Sequence, residues 1–245
     1  MAQKFGQHFL ASSAILDRIA ALVCACGQPR VLEIGPGKGA LTHKLLDCAS
    51  HVTALEIDPE LVVYLRSHLV HAHNLELVNA DAMNVDFAQY CPDLVAGNLP
   101  YYVATPLIER TVRLGLPGVF LIQKEVALRL AAGPGSRDYG FLSVQTQLFA
   151  DPKLEFTVPP GAFKPPPKVD SAVISLRPGN RAAELGVDDT DAFLHFLSAC
   201  FRQKRKMLRG NLRAEFAIEG QPEAQLRAEQ LSLEQFADLW RRLRR

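Results

Sequence analysis

Short apolar runs alternate with amphipathic stretches through the first 150 residues. Arg30–Ile34 (RVLEI), His51–Ile57 (HVTALEI), Asn74–Asn79 (NLELVN), Asp93–Asn98 (DLVAGN) and Gly118–Gln123 (GVFLIQ) each read as a buried strand. They are five to seven residues long, rich in branched aliphatics and bounded by Gly, Pro, Asn or Asp. Helical spacing falls between them: from about Gly39 to Cys48, from Pro59 to about His71 with Asp58 as cap, from Thr105 to Leu114, and over Lys124–Ala132 and Phe141–Phe149. Strands separated in this way by helices form βαβ units, so the pattern predicts a parallel, doubly wound α/β sheet.

After Ala150 the pattern changes. Leu154–Val158 and Ala172–Leu176 are strand-like, and a stiff proline-rich stretch, Pro159 to Pro167, joins them. That arrangement predicts an antiparallel pair at the sheet edge. From about Gly179 only helix is expected: Asp191–Arg205, a short one near Glu223–Gln230, and Ser232–Leu243 opened by a Ser232/Gln235 capping box. The expected organisation is a domain over 1–179 and a small helical domain over 180–245.

Composition narrows the class. With 245 residues, 48% hydrophobic and 22% charged, the chain can build a sizeable core, which excludes disordered, collagenous and coiled-coil proteins. No apolar run is long enough to span a membrane, and the N-terminus lacks a signal peptide, so a cytoplasmic protein with no membrane partner is expected. Five scattered cysteines fit reduced thiols, with Cys24 and Cys26 acting as small apolar residues that close a helix. His68, His71 and His73 have no acidic or Cys partner at ligand spacing, so no metal site is expected. The net charge of +1 argues against binding nucleic acid by bulk attraction, but its distribution is uneven. Residues 1–176 hold 14 Lys/Arg against 16 Asp/Glu, and residues 177–245 hold 13 against 10.

The candidate chemistry lies at the ends of the predicted strands. Gly35-Pro36-Gly37-Lys38-Gly39 follows the first strand and opens a helix, as a loop approached closely by a ligand requires. By itself this loop suits a dinucleotide or another nucleoside ligand. Glu56, 21 residues after Gly35, stands where a carboxylate accepts hydrogen bonds from ribose hydroxyls. Asp81 stands where it would reach an adenine amino group. Asn98-Leu99-Pro100-Tyr101 ends the fourth strand. An exocyclic adenine amine is a poor nucleophile because its lone pair is delocalised into the ring. An Asn oxygen and a main-chain carbonyl can accept its two hydrogens, Pro100 stiffens the Leu99 carbonyl, and Tyr101 offers a face for the base to stack on.

Taken in order, these segments resemble the ribosomal RNA adenine N6-dimethyltransferases, the KsgA/RsmA family. Lys4–Leu10, Glu33–Thr42, Glu56-Ile57-Asp58, Asp81-Ala82, Gly97–Tyr102, Phe163–Ser171 and Arg202–Leu208 all match family motifs, so the resemblance covers most of the chain. It implies a Rossmann-like class I methyltransferase sheet, mostly parallel with an antiparallel edge strand, and a small C-terminal helical domain. It places His8, Leu10, Gly35, Gly37, Glu56, Ile57, Asp81, Ala82 and Asn98 around S-adenosylmethionine, with no metal. His8 stands where some members have Asn. Asn98, Leu99, Pro100 and Tyr101 would position the target amine, and Phe163 would lie over the target base.

The implied partner is the small ribosomal subunit, through two adjacent adenosines in the 3′-terminal hairpin loop of 16S rRNA, with the protein acting as a monomer in subunit biogenesis. Arg202, Lys204, Arg205, Lys206 and Arg209, in a basic cluster between the two domains, suit phosphate contacts. The terminal run Arg241–Arg245 reads as a solvated helix face. The alternatives are an Erm-type methyltransferase of large-subunit rRNA, or a non-catalytic assembly or transcription factor on the same fold.

Overall fold

The computed structural model describes residues 8–244. Lys4-Phe5-Gly6-Gln7 of the N-terminal motif and Arg245 of the terminal basic run lie outside the described residues. The chain divides into two compact units.

One unit comprises the residues up to Ala127 together with Lys153–Arg177. It begins with β1 (Phe9–Leu10) and α1 (Ser13–Val23), followed by β2 (Arg30–Ile34), α2 (Ala40–Leu46), β3 (His51–Glu56), α3 (Pro59–His68) and β4 (Leu75–Asn79). Next come β5 (Leu94–Asn98), α4 (Ala104–Arg113), β6 (Gly118–Gln123) and the start of α5 (Lys124–Leu130). The predicted α3 cap is present: the Asp58 carboxylate accepts the Glu60 N–H at 3.0 Å, and Pro59 stands at the first helical position. After α6 (Phe141–Phe149) the chain returns through β7 (Ala150–Val158), β8 (Phe163–Lys164) and β9 (Ser171–Pro178).

The sheet has seven strands in the order β4-β3-β2-β5-β6-β9-β7. Strands β2 to β6 run parallel, and β9 pairs antiparallel with β6 from Gly118↔Leu176 to Gln123↔Ser171. The order reverses between β2 and β5, which leaves a crevice at their C-terminal ends. Gly97 lets these strands approach closely there, since a Cβ on it would lie 2.5 Å from the Ile34 carbonyl oxygen. Two-residue strands β1 and β8 form a separate antiparallel ribbon, Phe9↔Lys164 and Leu10↔Phe163. The sequence pattern does not predict this ribbon, because two residues carry no period.

The cysteine expectation is corrected. Cys24 and Cys48 form a disulfide, while Cys26, Cys91 and Cys200 are free. Cys24 does close α1, but α1 packs on α2, and Cys48 follows α2 by two residues. The pairing therefore arises from helix packing, which the spacing of cysteines along the chain does not reveal.

The second unit comprises Leu128–Pro152 and Pro178–Arg245. Beyond α6 it contains α7 (Arg181–Glu184), α8 (Thr190–Phe201), α9 (Leu208–Leu212) and α10 (Leu233–Leu243), the last with the expected Ser232/Gln235 box. It takes in residues 128–152, which the sequence reading gave to the first domain. Tyr139, Val144 and Leu148 belong to the same buried cluster as Phe193, Phe196, Leu197 and Phe236. The helix expected to reach Arg205 stops at Phe201 because the Asn211 side-chain amide takes the Cys200 and Gln203 carbonyls, at 2.7 and 3.2 Å. The segment near Glu223–Gln230 forms two 3₁₀ turns, Pro222–Gln225 and Ala228–Gln230. No helix among the described residues is long and apolar enough to cross a membrane.

Candidate functional site

A cleft at the C-terminal edge of β2, β3, β4 and β5 is lined by every residue expected at the catalytic and cofactor positions, all of them in the first unit. The glycine loop forms one wall. Gly37 has φ +58°, and its N–H donates to Glu56 Oε2 at 3.0 Å. A Cβ there would meet the Phe9 ring at 3.0 Å, so both the turn and the close approach require glycine. The other Glu56 oxygen accepts the Asp58 N–H at 3.0 Å. Glu56 is thus buried and held in one orientation at the end of β3. Burial raises its carboxyl above the usual range, against the pull of the Asp58 and Gly37 amides.

Glu33, at the end of β2, also lines the cleft. It is only 1% exposed, and its Oε2 has no hydrogen-bond partner among the described residues. Burial pushes its carboxyl up to about 7; the neighbouring Thr42 hydroxyl opposes the rise and the Glu56 charge adds to it. Sequence reasoning placed Glu33 in a motif and gave it no role. A carboxylate spaced two residues before Gly35 was the only available signal.

Asp81 follows β4. Its carboxylate accepts the Met83 N–H at 2.9 Å and the Asn84 side-chain amide at 3.1 Å, so it shapes its own turn as well as facing the cleft. Arg110 of α4 fixes that turn from behind by donating to the Ala82 and Met83 carbonyls at 3.1 and 2.9 Å. Ile57 and Met83 carry exposed apolar surface into the cleft, 42% and 39% accessible, a surface suited to the face of a nucleobase.

Asn98 ends β5. Its Nδ2 donates to the His8 carbonyl at 3.0 Å, and Leu99 is buried with its N–H on the Leu121 carbonyl. The Pro100 carbonyl accepts the Val103 N–H, closing the turn that presents Tyr101. The Tyr101 hydroxyl bonds to the buried Ser171 hydroxyl at 2.9 Å, which fixes the ring. Phe163 reaches the same cleft on β8, paired with Leu10 of β1. The β1–β8 ribbon therefore brings the N-terminal and late motifs together at Asn98. Leu16 and Ile19 of α1 also line the cleft, and no sequence signal had marked them.

The basic residues lie in the second unit. They occupy the turn between α8 and α9 and the first part of α9, the turn held by Asn211. They also differ from one another. Arg202 pairs with Glu215 and holds that carboxyl below its usual range, and Lys204 donates to the Arg137 carbonyl. Among the described residues Arg205, Lys206, Arg209 and Arg213 are exposed and have no ion pair.

The sheet order and the crevice define a class I methyltransferase fold. The chain matches the ribosomal RNA adenine dimethylase family over residues 1–243. It is 43% identical to the ribosomal RNA small subunit methyltransferase A of Acidobacterium capsulatum, covering 98% of this chain and 90% of that one. It is 38% identical to the protein of the same name from Chlorobium luteolum, covering 98% and 88%. Among solved structures, a dimethyladenosine transferase from Plasmodium falciparum superposes with a TM-score of 0.81 at 27% identity, covering 95% of this chain and 96% of that one. The 23S rRNA methyltransferase ErmE superposes with a TM-score of 0.74 at 26% identity, covering 97% and 100%. The chain belongs to the ribosomal RNA adenine dimethylase family.

Proposed function

We propose that this protein dimethylates the exocyclic amine of two adjacent adenosines in the 3′-terminal hairpin loop of small-subunit rRNA, using S-adenosylmethionine and no metal. It would act as a monomer in the cytoplasm during subunit biogenesis. The observation that carries the reading is the convergence of Asn98 and Tyr101 with Gly37, Glu56 and Asp81 in one cleft. A dehydrogenase would share the glycine loop and Glu56 but has no use for an Asn-Leu-Pro-Tyr turn. A non-catalytic factor would not need it intact.

The residues present fit the cofactor. Glu56 is held in one orientation at the end of β3, Asp81 stands at the next strand end, Ile57 and Met83 offer apolar faces, and the loop is open at Gly35, where a Cβ would meet only the Asn98 carbonyl oxygen at 4.0 Å. When bound, S-adenosylmethionine supplies an electrophilic methyl group. Asn98 Oδ1 and the Leu99 carbonyl accept the two amine hydrogens and so direct the nitrogen lone pair. Tyr101 and Phe163 flank the base. The methylated ammonium is acidic enough to lose its proton to water, so no general base is required, and catalysis rests on positioning and fixed dipoles. The target must leave its stack to enter, which favours a loop over a duplex. Arg202, Lys204, Arg205, Lys206 and Arg209 supply the phosphate-facing surface in this reading.

The likeness to ErmE makes large-subunit RNA the second reading. Methyl incorporation from tritiated S-adenosylmethionine, measured on small and large subunits that both lack adenine dimethylation, separates the two. Incorporation into the small subunit is expected. Labelling confined to the large subunit overturns the assignment.

A further inference from the structure

We infer that His8 is a positioning residue for the methyl-transfer step: it sets the orientation of the Asn98 amide and ties it to the segment carrying Phe163. This rests on the proposed role of Asn98 and assigns His8 a task other than holding the cofactor.

A side-chain amide is a donor at one end and an acceptor at the other. An adenine amine offers hydrogens, so only the oxygen end of Asn98 can receive it. What decides which end faces the cleft is the partner of the other end. That partner is the His8 main-chain carbonyl, 3.0 Å from Nδ2, and a carbonyl can only accept. Nδ2 is therefore committed, and Oδ1 is the end left for the substrate.

The His8 carbonyl is available because of its place in the ribbon: the Ala11 N–H donates to the Ala162 carbonyl, so the hydrogen-bonded pairs are Ala11/Ala162 and Phe9/Lys164, and at the next position the His8 carbonyl is turned away from β8. In the β1–β8 ribbon Phe9 pairs with Lys164, so His8 faces Pro165. That pair is a non-hydrogen-bonded one, at which the ladder makes no backbone bond. The tie is made by the side chain instead: His8 Nδ1 lies 2.9 Å from the Pro165 carbonyl, which again can only accept, so Nδ1 carries the proton. The ring also stacks on Tyr101, with centroids 6.1 Å apart and planes at 30°. Through its carbonyl and its ring His8 thus touches Asn98, Tyr101 and the strand end that follows Phe163. Its imidazole N–H adds a tie across the ribbon at a pair where the backbone ladder makes none.

The test compares His8→Ala with His8→Asn, whose amide can still donate to the Pro165 carbonyl. For His8→Ala, kcat is expected to fall on the order of 10- to 100-fold, while the calorimetric Kd for S-adenosylmethionine stays within about threefold and the melting temperature holds. His8→Asn is expected to recover most of kcat. A weakened Kd with kcat unchanged would assign His8 to the cofactor instead, and wild-type kcat in His8→Ala would also sink the inference. A second readout follows the Asn98 side-chain NH₂ in ¹H–¹⁵N spectra, identified by its loss in Asn98→Ala. Its exchange with water is expected to be slow in the wild type and in His8→Asn and fast in His8→Ala; equal exchange in all three overturns the tie. This arm uses no substrate, so a wild-type protein inactive on small subunits would count against the proposed function and leave this reading standing.

Discussion

The two units treat polar groups in opposite ways. In the first, Glu33, Glu56 and Asp58 are all buried at or just beyond strand ends, in or beside the cleft. In the second, the buried polar residues described are neutral: Ser143, Gln145, Thr146 and Asn211. None of its described charged residues is fully buried, and many are paired. Arg241 pairs with Asp238, Arg242 with Glu223, and Arg244 holds the Asp188 carboxyl down at about 2. Buried charge disfavours folding unless it is satisfied, so its concentration around one cleft marks that cleft as a place kept for ligands. The helical unit is built for packing and presents cations outward.

Substitutions at matched depth in the two units should therefore fail differently. The largest expected effect is on stability in the helical unit. Phe196 is fully buried against Phe193, Phe216 and Trp240, and Phe196→Ala should cost about 3–5 kcal/mol. Urea denaturation measures this, and a loss under about 1 kcal/mol would mean that the aromatic cluster repacks. The cleft should behave in the reverse manner. Asn98→Ala is expected to lower kcat on the order of 100- to 1,000-fold with little change in stability or cofactor affinity. A drop confined to cofactor affinity would remove Asn98 from the chemistry.

Glu33 sharpens the contrast through pH. Its carboxyl sits at about 7 in the native protein against 4.5 for the ordinary group, so between those values the native state holds a proton that the unfolded chain has released. Stability should therefore fall as pH rises from about 4.5 to about 7, by roughly 3 kcal/mol from this group. Glu33→Gln should flatten that slope, and parallel melting profiles for the two proteins from pH 5 to 8 would show that Glu33 is charged throughout. The smallest effect concerns the surface cations. Replacing unpaired Arg205, Lys206 and Arg209 by Ala should reduce the salt slope of RNA binding by roughly 0.7–0.9 per lost phosphate contact. The same change at paired Arg241, Arg242 and Arg244 should leave it nearly unchanged. Equal losses from both sets would mean that the ion pairs open when RNA binds.

Much of this was legible in the sequence, for a physical reason. Strands β2, β3, β5 and β6 are largely buried and read as continuous apolar runs, and β4, a half-exposed edge strand, still carries Leu75, Leu77 and Val78, so their positions match the expectations within a residue or so and the cleft motifs sit at strand ends. What stayed hidden depends on contacts distant in sequence. The ribbon joining Phe9-Leu10 to Phe163-Lys164 spans too few residues to have a period. The Cys24–Cys48 bond follows from α1 packing on α2. The two basic runs look alike as letters, and only the fold shows that Arg241, Arg242 and Arg244 have carboxylates beside them while, among the described residues, Arg205, Lys206 and Arg209 form no ion pair. Glu33 was visible but unassigned, because its significance lies in its burial.

The recruitment of Leu128–Pro152 into the helical unit has a consequence for the chain as it is made. This segment leaves the ribosome before its packing partners exist. The residues that cover Tyr139, Val144 and Leu148 begin with α7 at Arg181, about 35 residues after Leu148, which at translation rates of about 5–20 residues per second is a wait of roughly 2–7 seconds. During that interval the nascent chain exposes an apolar helix that only its own C-terminus can cover. A chain cut near residue 179 would expose it permanently, so aggregation rather than an isolated catalytic half is the expected product of such a cut.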